Sequence, residues 1–168
     1  MLEHVKITTP EELFVSSLGS TLKMENTVEE MLGELVDEAG DRELKQQLGH
    51  HREETREQIR NVERAFEALG KEADESPCLP IEAIEKEGKA KLKLADDELK
   101  DAVILAGCAE TEHHEIAVYE NLIAHADAMG LEDVVALLRE NLEQEQHTLG
   151  EVLKAMLKTS QQKAKAMR

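Results

Sequence analysis

Apolar residues recur at steps of three and four along four long stretches of this chain, the spacing of helices that each bury one face. The first stretch runs Phe14, Leu18, Thr21, Glu25, Val28, Leu32, Leu35 and Ala39, and the second Leu44, Leu48, His51, Thr55, Gln58, Val62, Ala65 and Leu69. The third reads Leu105, Ala109, Glu112, Ile116, Tyr119, Ile123 and Ala126, and the fourth Leu138, Leu142, Glu145, Leu149, Val152 and Met156. Thr9-Pro10-Glu11-Glu12 sets the first boundary: Thr as N-cap, Pro at the first helical position and Glu at the third make a capping box. The spacing therefore predicts helices over about 10–39, 42–69, 97–128 and 132–158, with turns at Gly40-Asp41 and Met129-Gly130 and a stop at Gly70. A Lys- and Gln-rich tail after 158 is expected to fray.

The connection over 70–96 is too long for a simple turn. Ser76-Pro77-Cys78-Leu79-Pro80 breaks it, and Pro80 to about Leu92 is expected to form a short extra helix. A connection of that length can return along the bundle and leave the second and third long helices parallel. The expectation is an all-α chain, residues 1–168 as one domain: two antiparallel helical hairpins joined by a long crossover, the ferritin-like arrangement of the four-helix bundle.

Composition narrows the function. The net charge of −17 and the near absence of aromatic residues argue against nucleic-acid binding, which needs Lys and Arg for phosphates and rings for stacking. The same charge disfavours anionic membrane surfaces. No apolar run approaches the roughly 20 residues of a membrane span, and nothing at the start resembles a signal peptide, so a cytoplasmic location is expected. Cys78 and Cys108 make no disulfide framework and lack metal-ligand spacing; both read as reduced structural residues.

The acids inside the apolar seams carry the chemistry. Glu25 and Glu145 interrupt the first and fourth stretches, Glu112 the third with Glu115 one turn beyond it, and Glu54 stands at the edge of a polar gap in the second. A lone carboxylate in such a seam costs several kcal/mol of desolvation, so a group of them calls for cations between them. Glu25 and Glu54 lie 15 and 14 positions from Gly40, and Glu112 and Glu145 lie 18 and 15 from Gly130. At about 1.5 Å rise per residue all four sit roughly 21–27 Å from their turns. That level is mid-bundle, with Glu25 expected to face Glu54.

Other groups are weighed against plain packing. His51 reads equally as a ligand or as a hydrogen-bond donor to a ligating carboxylate. Tyr119 lies two turns beyond Glu112 on the same face and reads as a core tyrosine with a satisfied hydroxyl or as one with a redox or hydrogen-bonding role. His113 and His114 diverge around their helix and are expected at the surface, and His147 lies about 200° from Glu145.

Leu13-Phe14 followed by Glu25, His51-Arg52-Glu53-Glu54-Thr55, Glu112-His113-His114-Glu115-Ile116-Ala117-Val118-Tyr119 and Leu142-Glu143-Gln144-Glu145 together resemble the YciF/YciE-type ferritin-like proteins of bacteria, which are associated with stress responses. The resemblance runs over nearly the whole chain. It implies a ferritin-like bundle, a dinuclear iron or manganese site and dimeric assembly.

The chain departs from the usual di-metal pattern, in which two helices each offer Glu-x-x-His. Here the second helix offers His51-x-x-Glu54, the fourth has Thr148 where the pattern has His, and the third provides Glu112-x-x-Glu115. The expected ligand set is Glu25, His51, Glu54, Glu112, Glu115 and Glu145. A set so rich in oxygen suits two hard divalent ions, iron or manganese. The leading expectation is a non-haem di-metal oxidoreductase acting on peroxide or dioxygen, as a homodimer. Metal sequestration without turnover and a metal-free helical interaction protein are the competing readings.

Overall fold

The computed structural model describes residues 6–166, and every regular element among them is helical. The elements are α1 (Pro10–Glu38), α2 (Arg42–Ala68), α3 (Leu79–Leu94), α4 (Lys100–Ala128) and α5 (Glu132–Ala166), with one 3-10 turn over Asp97–Leu99 leading into α4. The tail expected to fray after 158 is helical through Ala166. Its residues are mostly Lys, Gln and Ala, strong helix formers, and Lys163 and Lys165 in the last turn complement the helix dipole.

Local chemistry fixes the ends. Thr9 Oγ1 accepts from the Glu12 amide at 3.1 Å, and the Glu12 carboxylate accepts from the Thr9 amide at 3.0 Å, the reciprocal capping box. Gly70 and Gly130 close α2 and α4 at φ +66° and +70°, a left-handed conformation that side-chain-bearing residues adopt at a cost. The amides that follow them, Lys71 N to Phe66 O and Leu131 N to Ala126 O, each at 3.0 Å, complete Schellman motifs.

Contacts at one end establish the chain direction. The Asp101 carboxylate, in the first turn of α4, accepts from the amides of Gly40 and Asp41 in the α1–α2 turn at 2.7 and 3.0 Å. Lys158, late in α5, reaches Glu43 at 2.8 Å. So α2 and α4 start where α1 and α5 come to an end, and α2 runs parallel to α4. α1 packs on α2 and α4, and α5 packs on the same two, which puts α1 diagonally opposite α5 and α2 opposite α4. This is the ferritin-like bundle.

The crossover explains how the hairpins join. It passes tightly over α1 at Gly19, where a Cβ would stand 2.7 Å from Asp74 O and from Ser76 Oγ, and Ser20 Oγ donates to Pro77 O at 3.0 Å. α3 then returns along the groove between α1 and α4 and buries only Ile81 completely. The core is aliphatic around Phe14, Phe66 and Tyr119. Truncating a buried phenylalanine such as Phe66 to Ala costs about 3–5 kcal/mol. Among the described residues no helix is long and apolar enough to cross a membrane.

Candidate metal centre

Each of the four long helices sends an ionisable side chain to the same interior level. Glu25 of α1, Glu112 and Glu115 of α4 and Glu145 of α5 are 0% exposed, and His51 of α2 is 5% exposed. His51, Glu112, Glu115 and Glu145 bring one ligand atom apiece within 4.8 Å of all the others. His51 Nε2 stands 3.4 Å from Glu112 Oε1 and 3.8 Å from Glu145 Oε2. Glu25 closes the cluster from the α1 side and presses electrostatically on Glu112 and Glu115.

Glu54 sits differently. α2 turns Leu48, His51, Thr55, Gln58 and Val62 inward. Glu54, one position from Thr55, therefore falls at the bundle's edge, its side chain 20% exposed and 3.5 Å from His50 Nε2. The α2 group at the centre is His51, beside Glu112 and Glu145. His113 is exposed, His114 is half-buried with its Nε2 3.9 Å from Cys78 Sγ, and His147 points outward to Glu151 at 3.7 Å.

What distinguishes the cluster is the lack of hydrogen-bond donors for so many buried acceptors. Both oxygens of Glu112, Glu115 and Glu145, together with Glu25 Oε2 and His51 Nε2, are buried with no hydrogen-bond partner among the described residues. Two of the hydroxyls nearby are spent on their own helices: Thr55 Oγ1 donates to His51 O at 3.0 Å and Thr111 Oγ1 to Gly107 O at 2.9 Å. Native interiors rarely leave such groups unpaired.

Burial, followed by the Glu145 charge, pushes the Glu112 carboxyl up to about 11, and burial first and neighbouring acids second raise Glu25 and Glu115 well above the carboxylate range. Burial and then Glu112 push the Cys108 thiol to about 12, which keeps it protonated. The donor set is therefore oxygen-rich with one imidazole nitrogen, and it fits hard divalent cations placed among these atoms.

One donor does reach the acids. The Tyr119 hydroxyl, itself raised by burial and then by the charges of Glu25 and Glu145, donates to Glu25 Oε1. Asn141 Nδ2 donates to Tyr119 Oη at 3.0 Å and to Gln58 O at 3.2 Å, while Asn61 Nδ2 donates to Asn141 Oδ1 at 2.9 Å. Asn61 and Asn141 were not singled out from sequence. The available signal was Asn141 itself, an amide three residues after Leu138 and four before Glu145, on the apolar face of α5.

Comparison with known proteins agrees with this architecture. "Protein YciF" of Escherichia coli strain K12 is 28% identical over 142 residues, 83% of this chain and 86% of that protein. The solved structure of YcfI from Rhodopseudomonas palustris is 32% identical with a TM-score of 0.85, over 89% of this chain and 96% of that one. The crystal structure of the E. coli stress protein YciF is 25% identical with a TM-score of 0.87, over 92% and 99% of the two chains. A family described as "Domain of unknown function (DUF892)" matches residues 9–165, so this chain belongs to that family of YciF-like stress proteins.

Proposed function

We propose that the buried cluster is a dinuclear centre for iron or manganese and that the protein uses it on peroxide or dioxygen in protection against stress. The observation that carries the reading is the set of carboxylate oxygens and the imidazole nitrogen buried without a donor at one level of the bundle. Four buried glutamates, Glu25, Glu112, Glu115 and Glu145, balance the charge of two divalent ions, and His51 supplies the nitrogen. When bound, two redox-active ions would supply the capacity to exchange two electrons with one oxidant.

The chain's own residues do the rest. Tyr119 fixes the orientation of Glu25, Asn141 fixes Tyr119, and the apolar packing above and below the cluster keeps bulk water from the acids. Glu54 and His50, with Glu151 of α5, line a small opening that also touches His51 and suits the entry of cations. The stress association is supported by the E. coli relative, whose structure is described as that of a stress protein.

The test is peroxide consumption by manganese- or iron-loaded protein against the same concentration of free metal. Repeated turnover above the control, depressed in Glu112→Gln without loss of helical structure, is expected. Oxygen release would mark disproportionation, and peroxide loss coupled to ferrous oxidation would mark ferroxidation. Loaded protein no faster than free metal with either ion would reduce the reading to metal binding without turnover.

A further inference from the structure

A second feature opens onto the cluster from the α1–α4 side. Beneath α3 lies a chamber of about 670 Å³, within the roughly 300–1,000 Å³ typical of small-molecule sites. Its walls are apolar: Leu32 and Leu35 from α1, Ile84 and Leu92 from α3, Val103 and Ile104 from α4. Its floor is His51, Cys108 and Thr111, and His51 is also a member of the metal cluster. We propose that this chamber binds an uncharged, largely apolar small molecule and presents it to the His51 side of the centre. The second half of that statement rests on the metal reading above; the first does not.

The packing around the chamber supports an occupant. Gly88 of α3 and Gly107 of α4 both line it, and a Cβ built on either meets nothing within 4 Å. Glycine inside a helix costs about 1 kcal/mol against alanine, and at these two places no neighbour requires it. Larger residues would fill the space that the glycines leave open. α3 is also the helix that buries least, with only Ile81 fully covered, so the roof can yield to admit a ligand without breaking the main bundle.

Charge at the mouth selects the class. Five acids and three lysines line it, and two of the lysines are engaged: Lys89 with Glu34 at 2.9 Å and Glu85 at 2.8 Å, Lys100 with Glu38 at 3.1 Å and Asp97 at 3.0 Å. A net charge of −17 repels anions further. An apolar molecule with no charge meets neither obstacle, and the walls offer it dispersion contact and removal from water.

The experiment uses full-length protein and two related fluorescent probes, neutral N-phenyl-1-naphthylamine and anionic 1-anilinonaphthalene-8-sulfonate. Saturable binding of the neutral probe near one per chain is expected, with the anionic probe clearly weaker. Gly107→Leu and, separately, Gly88→Leu should weaken the neutral probe about tenfold or more, the effect of losing a few buried methylene contacts. Metal content and circular dichroism should stay unchanged, and cobalt-loaded protein should show altered visible bands when the neutral probe binds.

No saturable binding, or affinity untouched in both filled variants, would overturn the proposal, and tighter binding of the anionic probe would overturn the ligand class. Absence of probe binding together with a change of oligomeric state in the filled variants would assign the chamber to a second copy of the chain instead. Probe binding with no change in the cobalt bands would leave the chamber separate from the centre. A protein that binds the probe normally but takes up no cobalt would refute the metal reading, and with it the delivery step, while sustaining the chamber as a binding site.

Discussion

The Tyr119 hydroxyl donates to Glu25 and accepts from Asn141, so a phenol on α4 ties the α1 carboxylate to amides on α5 and α2. Among the described residues this is the one side-chain hydroxyl that donates to the buried acids, and its orientation is set by Asn141, which itself makes three hydrogen bonds. Tyr119→Phe should lower stability by about 1–3 kcal/mol, because it strips a partner from buried polar groups. It should weaken metal binding about 10–100-fold, the usual effect of removing a group that orients a ligand. Urea unfolding and competition with a chelator measure the two. Combined with Asn141→Ala, the double-mutant cycle should give a coupling of about 0.5–3 kcal/mol; additive effects would mean that the two residues act separately.

Glu54 should behave unlike the buried acids. It sits at the edge beside His50 and lines the small opening to His51, so Glu54→Gln should slow metal uptake while leaving the metal held at equilibrium nearly unchanged. Stopped-flow loading followed by metal analysis separates rate from content. Loss of metal equal to that in Glu145→Ala would make Glu54 a full ligand that swings inward.

Much of this arrangement was legible in the chain, for identifiable reasons. Period-3.6 spacing, the Thr9 capping box and the glycines at 70 and 130 specify the long helices, since each acts over a few residues. Glu25, Glu112 and Glu145 stand out because a charge inside an apolar seam has no other ready explanation. The rotation of α2 was legible too, since its apolar stripe carries His51 and leaves Glu54 at the edge. What the stripe could not decide is how far an edge carboxylate reaches toward the centre, because that depends on packing against neighbouring helices. The Asn61–Asn141–Tyr119 chain spans α2, α5 and α4, and no spacing within one helix reveals a partner on another. The chamber under α3 depends on where the crossover helix settles, a tertiary outcome of Gly19 and Ser20 meeting the loop.

Metal removal should destabilise the protein more at high pH. In the metal-free chain Glu112 is raised from 4.5 to about 11, chiefly by burial and then by Glu145, and Glu25 and Glu115 are raised as well. Such a carboxyl keeps its proton in the folded state after the unfolded chain has released it. The stability this confers is complete below about pH 4.5 and is lost as pH climbs toward the folded-state value. Bound cations take the place of the protons. Chelation should therefore lower Tm more at pH 8 than at pH 5, read by thermal circular dichroism. Equal melting with and without metal at pH 8 would mean that the acids need no counter-charge.

Assembly is expected to be small. We expect a two-fold homodimer, the commonest closed assembly of a soluble chain. Light scattering should give the mass of about two chains of 18.8 kDa. A particle of a dozen or more chains would favour storage over catalysis.

If the buried acids exist to hold two metal ions, the ions can be counted by metal analysis of protein purified under metal-replete, anaerobic conditions. Close to two iron or manganese ions per chain are expected in the native sequence. Glu25→Ala and Glu145→Ala should each lose most of that metal while retaining helical content. No bound metal in the native protein, or an undiminished content in both variants, would contradict that role.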